Sequence, residues 1–259
     1  MRAVALITGA SGGIGADLAR VFARHGHDLA LVARSADRLD SLADELVATG
    51  RPHPLVIACD LAASGGVDRV TEALVANDAR VAFLVNNAGY GLLGPVAELD
   101  PAGQLGIVDL NVRALLDLTL RCLPDLIAAH GRILSVASIA SFMPGPGMAV
   151  YYASKAFVSS FSRALTQEMK AAGVGVSVLH PGVTATGFQA RAGVGKAPGL
   201  SSMSGATSMS VAEAGYRGLM DGRRTIVPGL GNKVSAAVLP LVPDAILLPL
   251  VHRFQRGRT

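Results

Sequence analysis

The chain has no tryptophan, and Tyr and Phe bring aromatic residues to only 4% of its 259 positions. Charge is also scarce: Lys, Arg, Asp and Glu make up 16%, with a net charge of +4. A nucleic-acid surface needs clustered cations interleaved with stacking aromatics, and neither pattern is present, so no nucleic-acid partner is expected. Cysteine is limited to Cys59 and Cys122, both set within apolar runs. They read as small buried residues in a reducing compartment, and no zinc-type spacing exists. The stretch Met1-Arg2-Ala3-Val4-Ala5-Leu6-Ile7 is too short for the apolar segment of a signal peptide before Thr8-Gly9. A cytoplasmic protein is the expectation.

Small apolar residues are plentiful: 51% of the chain is hydrophobic and glycine occurs 30 times. That balance favours a parallel sheet buried on both faces by helices. The length suits one α/β domain with a sizeable core, and no internal repeat or second domain is evident.

Residues 3–8 read as a short strand, followed by Thr8-Gly9-Ala10-Ser11-Gly12-Gly13-Ile14-Gly15 and a helix to about Arg24 with Leu18, Val21 and Phe22 inward. Strand, glycine turn, helix is the setting in which a backbone approaches a phosphate closely, and the helix N-terminus supplies N–H groups and a positive dipole end. The strand Asp28 to Ala33 ends in Arg34. An acidic residue at that strand end would bind ribose hydroxyls, whereas an Arg takes a 2′-phosphate, so NADP is preferred over NAD. Ser35 is the expected cap of a helix to about Thr49, with Leu39, Leu42, Leu46 and Val47 inward and Gly50 ending it. The strand Leu55–Cys59 leads to Asp60-Leu61, a helix spans about 65–77, and the strand Val81–Val85 reaches Asn86-Asn87-Ala88-Gly89. This alternation predicts a Rossmann-like, doubly wound sheet of about seven parallel strands with helices on both faces. Ligands in such sheets lie at the carboxyl ends of strands, where Thr8, Arg34, Asp60 and Asn87 fall.

Asp100-Pro101 starts a helix expected to run to about Leu123, with Asn111 in its middle. A strand over 132–137 ends at Ser138. A Pro/Gly-rich loop follows, then a helix from about 150 to 172, the strand Val174–Leu179, and His180-Pro181-Gly182-Val183-Thr184-Ala185-Thr186. Residues 187–209 read as a substrate lid. A helix over 210–221 and the short strand Thr225–Val227 complete a domain spanning 1–229. The remainder, 230–259, is an apolar tail with a basic end (His252, Arg253, Arg256, Arg258). Three prolines and an acidic residue within 234–251 argue against a simple membrane span. Burial against the body or a sister subunit, peripheral contact of 234–259 with an anionic membrane, and disorder all stay open.

Tyr151 and Lys155 are four apart and share one helix face. A phenol near pKa 10 is a poor acid or base at neutral pH, and a nearby ammonium favours the phenolate. With Ser138 holding a substrate oxygen, Tyr151 would give or take the proton while hydride moves at the attached carbon. A bare Tyr-x-x-x-Lys is common by chance, so the pair gains meaning only from the rest of the chain.

Taken together, Thr8-Gly9-x-x-x-Gly13-x-Gly15, Asn86-Asn87-Ala88-Gly89, Asn111, Ser138, Tyr151-x-x-x-Lys155 and Pro181-Gly182 resemble the short-chain dehydrogenase/reductase family, in family order over about residues 3–229. The resemblance implies that Tyr151 is the general acid/base and that Ser138 orients the substrate oxygen. Lys155 would bind the nicotinamide ribose and lower the Tyr pKa, and Asn111 would hold a water relaying protons from Lys155. It implies a cofactor site of Thr8, Gly9, Ser11, Gly13, Ile14 and Gly15, with Asp60 and Leu61 at the adenine and Asn87, Ala88 and Gly89 at the adenosine ribose. Pro181, Gly182, Thr184 and Thr186 would bracket the nicotinamide amide. It also implies pairing through the helices of Asn111 and Tyr151, giving a homodimer or homotetramer. One departure is Gly12, where many NADP-preferring members carry a basic residue, so Arg34 carries the preference alone. The expected activity is reduction of a ketone or aldehyde to an alcohol, or the reverse. Phe142, Met143, Met148, Phe188, Met203 and Met209 around the site suggest a hydrophobic substrate. The rivals are a non-catalytic NADP-binding sensor or scaffold and a membrane-surface protein driven by its tail.

Overall fold

The computed structural model describes residues 1–184, 187–188 and 206–256. Seven strands form one sheet: β1 (Arg2–Thr8), β2 (Asp28–Ala33), β3 (Leu55–Ala58), β4 (Ala79–Asn86), β5 (Arg132–Val136), β6 (Gly175–Leu179) and β7 (Thr225–Ile226). Their order is β3-β2-β1-β4-β5-β6-β7, and every pairing is parallel. The order reverses between β1 and β4, so the crevice at their carboxyl ends is the topological switch point. β1 and β2 are interior strands buried on both faces, which is why Val4 to Ile7 and Leu29 to Ala33 are unbroken apolar runs rather than alternating ones.

Helices α1 (Gly13–Arg24), α2 (Ala36–Ala48) and α7 (Ser208–Met220) cover one face. Their Leu18, Phe22, Leu39, Leu42, Val211 and Leu219 pack on Ile7, Leu31 and Leu134. On the other face lie α3 (Gly66–Ala76), α5 (Leu115–Ala128) and α6 (Ala149–Glu168). There Val70, Leu118, Cys122, Leu126 and Leu165 pack on Leu6, Ala30 and Ile133. Both cysteines are free and buried, as their apolar settings predicted.

Several local expectations change. Ser35 occupies the N-cap of α2, but its side chain makes no capping bond. Val47, expected inward, is exposed, because it lies outside the face set by Leu39, Leu42 and Leu46. The single helix expected from Asp100 to Leu123 is α4 (Pro101–Val108), a π-helical turn over Asp109–Ala114, and α5. Its start is as expected, with Asp100 accepting from Gly103 N at 2.7 Å. Most of the lid segment lies outside the described residues. Its last members, Ser208 and Met209, belong to α7, and Met209 packs half-buried against the core cluster shared by α1, α2 and α7.

The tail forms α8 (Leu230–Val238), a short turn over Leu239–Leu241 and α9 (Asp244–Arg256). α9 buries Leu247, Val251 and Gln255, at spacings of four, against the body. α8 buries none of its residues. Among the described residues, no helix is long and apolar enough to cross a membrane.

Candidate active site

The glycine turn after β1 is shaped by backbone that side chains rarely adopt. Gly9 has φ +67° and Gly13 φ +55°. A Cβ on Gly9 would lie 2.8 Å from Asn87 Nδ2, and one on Gly15 would strike the Gly9 carbonyl. The Thr8 hydroxyl donates to Val85 O at 3.1 Å and accepts from Asn87 N at 2.9 Å and Ala88 N at 3.0 Å. Those three bonds fill its capacity, so Thr8 braces the crevice rather than reaching into it. Asn87 completes the brace by donating Nδ2 to Thr8 O at 2.8 Å. Gly12 caps α1 without a side chain, and the first turn holds no acidic residue. The N–H groups at this helix end and its positive dipole end suit an anion, and Gly9 and Gly15 keep the cradle clear. The residues present therefore fit the pyrophosphate of a dinucleotide. Ser11, Gly13 and Ile14 line this turn half-buried, with Ile14 also packed against the core.

One strand over, Arg34 is exposed at the end of β2, with Nη1 3.8 Å from Asp60 Oδ2 beyond β3. Asp60 also turns the chain locally by accepting Ala62 N at 3.0 Å. Leu61 is buried in the core, and its backbone is what it offers this edge.

At the centre of the crevice, Lys155 and Tyr151 lie one turn apart on α6. Lys155 is buried, and its Nζ donates to Val136 O at 2.8 Å. Burial lowers its pKa from 10.5 to about 8. Gly89 has no side chain where a Cβ would lie 2.9 Å from Asn111 Oδ1 and 3.3 Å from Lys155 Nζ. The loop after β4 thus lies directly against both polar groups. Asn111 Oδ1 accepts from Tyr90 N at 3.1 Å, and its Nδ2 donates to Tyr90 O and to Ser154 Oγ, each at 3.0 Å. The π-helical turn presents Asn111 inward, 1% exposed, which resolves why a weak helix former sits mid-helix.

Ser138 is extended at the end of β5, where its Oγ accepts from Ala140 N at 3.1 Å. The strand end is tied to the next loop by Ala137 N to Leu179 O at 2.8 Å and Ile139 N to Pro181 O at 3.0 Å. Ser138 and Pro181 therefore face the same crevice mouth. Thr184 is buried and donates to Gly182 O at 3.1 Å, folding this loop on itself. Thr186 lies outside the described residues.

Gln104 aside, the wall beside Tyr151 is apolar. Leu92, Leu99, Ile107 and Met148 gather around it, and Leu93, Met143 and Phe188 pack with Met148 and Tyr152. The Tyr151 and Phe188 rings lie 5.2 Å apart. Phe142 instead tilts against His180 at 4.7 Å, away from this wall. Met203 lies outside the described residues.

Sequence reading missed Tyr90, Gly91 and Ser154. A Cβ on Gly91 would lie 2.9 Å from the Tyr151 ring. Ser154 joins Asn111 to the Tyr151 carbonyl, to which it donates at 2.7 Å. The alternation Gly89-Tyr90-Gly91 is the one signal that could have pointed there. Gln255 of the tail, whose Nε2 donates to Tyr152 OH at 2.9 Å, left no local signal.

Comparison with known proteins places these features in context. Residues 3–196 match the family described as "short chain dehydrogenase". Sulfoacetaldehyde reductase 2 of Chromohalobacter salexigens is 38% identical over 191 residues, covering 73% of this chain and 75% of that protein. A short-chain dehydrogenase from Sphingobium yanoikuyae, solved in complex with NADPH, superposes with a TM-score of 0.80 at 31% identity, covering 95% of this chain and 98% of that one. The bulky-bulky ketone specific alcohol dehydrogenase from Comamonas testosteroni superposes with a TM-score of 0.76 at 27% identity, covering 95% and 99%.

Proposed function

Because the chain belongs to the short-chain dehydrogenase family, we propose that it is an NADP-dependent reductase of an apolar ketone or aldehyde, reversible as an alcohol dehydrogenase. The observation that carries this is the buried Lys155 ammonium, fixed by the Val136 carbonyl one helical turn from Tyr151. When bound, a nicotinamide dinucleotide supplies or accepts the hydride. In the reducing direction Tyr151 gives its phenolic proton to the carbonyl oxygen as hydride reaches the carbon. The Lys155 charge favours the phenolate left behind. Ser138 donates to the same oxygen and fixes its position. Asn111, held by Tyr90 and Ser154, keeps a polar path beside Lys155 for the returning proton.

The turn of Gly9, Ser11, Gly13, Ile14 and Gly15 would hold the dinucleotide at its pyrophosphate. Asp60 and Leu61 would meet the adenine, Asn87 to Gly89 the adenosine ribose, and Pro181, Gly182, Thr184 and Thr186 the nicotinamide amide. NADP is preferred because Ala33 leaves no carboxylate at the β2 end and Arg34 offers a guanidinium to a 2′-phosphate. Exposed Leu105 and Val108 on α4, Leu120 on α5 and Phe157 on α6 support pairing into a homodimer or homotetramer.

The apolar side chains around Tyr151 support an apolar substrate. NADPH oxidation with a panel of alkyl and aryl ketones, set against sulfoacetaldehyde, tests this. Higher kcat/KM on the apolar carbonyls is expected. Turnover of sulfoacetaldehyde alone would show that a cation outside the described wall selects a small anion instead.

A further inference from the structure

α8 is amphipathic the wrong way round for a helix that packs on its own domain. Leu230, Val234 and Val238 recur at spacings of four on one face of α8, and Leu241 follows in the turn after it. They are 78%, 55%, 50% and 81% exposed. The inward arc carries Asn232, Ser235 and Ala236, none of them buried. On α9, Ile246 and Leu250 add a second exposed pair, while Leu247 and Val251 anchor that helix to the body. A contiguous apolar helix face left outward marks a contact surface rather than a scatter of single residues.

Charge identifies the occupant. Residues 230–259 hold four Lys/Arg against one acidic residue, so three of the chain's four net positive charges lie in this tail. Beneath α8 is a cleft of about 550 Å³ between the helix and the body. Arg163 and Lys233 line it with Phe142, Val227 and Pro240, and no acidic residue does. Neither cation makes an ion pair among the described residues. A second copy docked symmetrically would set two such cationic tails against each other. An anionic bilayer matches both features, with apolar side chains entering the acyl boundary and cations meeting phosphate headgroups. No described helix is long and apolar enough to span, which suits a helix that lies in the surface plane.

We propose that α8 and the start of α9 form a docking face for an anionic lipid surface, with Arg163 and Lys233 taking a lipid phosphate in the cleft beneath α8. The face is separate from the reacting groups, although Gln255 links α9 to Tyr152, the neighbour of Tyr151. It stands whether or not the proposed reaction is right.

Co-sedimentation of the full chain with vesicles tests the proposal, using phosphatidylcholine alone and phosphatidylcholine with phosphatidylglycerol at two to one. Binding to the anionic vesicles only, suppressed by salt, is expected. Val234→Glu/Leu241→Glu should stay in the supernatant with unchanged circular dichroism. Lys233→Ala, which leaves the helix intact, should weaken partitioning about fivefold. No sedimentation of the wild-type chain with either vesicle, or equal sedimentation with both, overturns the proposal. So does light scattering without lipid that shows a wild-type oligomer split by Val234→Glu/Leu241→Glu, because a second copy then covers the face.

Discussion

Replacing Lys155 with methionine should stabilise the cofactor-free chain while abolishing turnover. Burial holds the Lys155 pKa at about 8 rather than 10.5. Keeping the charged form inside at pH 7 therefore costs about 3 kcal/mol. Methionine fills a similar volume without the charge but gives up the bond to Val136 O, a loss of about 1–2 kcal/mol. The net gain is about 1–2 kcal/mol, or about 2–8 °C in Tm for a chain of this size. The sign with pH follows from proton binding. Below about pH 8 the lysine is charged in both states and the penalty is full. Between about 8 and 10.5 the unfolded chain binds more protons than the folded one, so wild-type stability rises with pH. Above 10.5 the penalty is gone. Urea unfolding of both proteins from pH 7 to pH 10 should show the variant's advantage shrinking. A variant less stable than wild type at pH 7, or a gap that stays constant to pH 10, refutes the reasoning.

Arg34→Ala should lower kcat/KM with NADPH by about 10- to 100-fold, the worth of a charge-assisted phosphate contact, and leave NADH nearly unaffected. Equal efficiency of the unaltered chain with both dinucleotides would remove that role. Thr8→Val keeps the shape of the side chain but strips the partner from Asn87 N and Ala88 N, so the urea midpoint should fall by the equivalent of about 2–4 kcal/mol. A midpoint within error of wild type would mean those N–H groups find other partners.

The sheet was legible because its central strands are continuous apolar runs separated by amphipathic helices, and that periodicity survives in any context. The crevice was legible because strand ends with Gly, Asn, Ser and Pro follow the sheet order. Asn111 was harder. Helix periodicity runs unbroken through Asp109–Ala114, so the π-helical turn there and the bonds of Asn111 to Tyr90 and Ser154 leave no trace in it. Ser35 looked like a cap by residue type, yet type does not fix where its hydroxyl points. The lid reading ran to Met209, but α7 begins at Ser208 and packs Met209 half-buried against the core. The tail was ambiguous because apolar content does not say which face turns inward, and α8 turns its apolar face out.

The most direct test is NADPH oxidation with an apolar ketone by the wild-type chain and by Tyr151→Phe, with cofactor binding followed by fluorescence. A loss of about 10²–10⁴-fold in kcat with NADPH binding retained is predicted for a phenol that moves the proton. Near-normal turnover by Tyr151→Phe would contradict it.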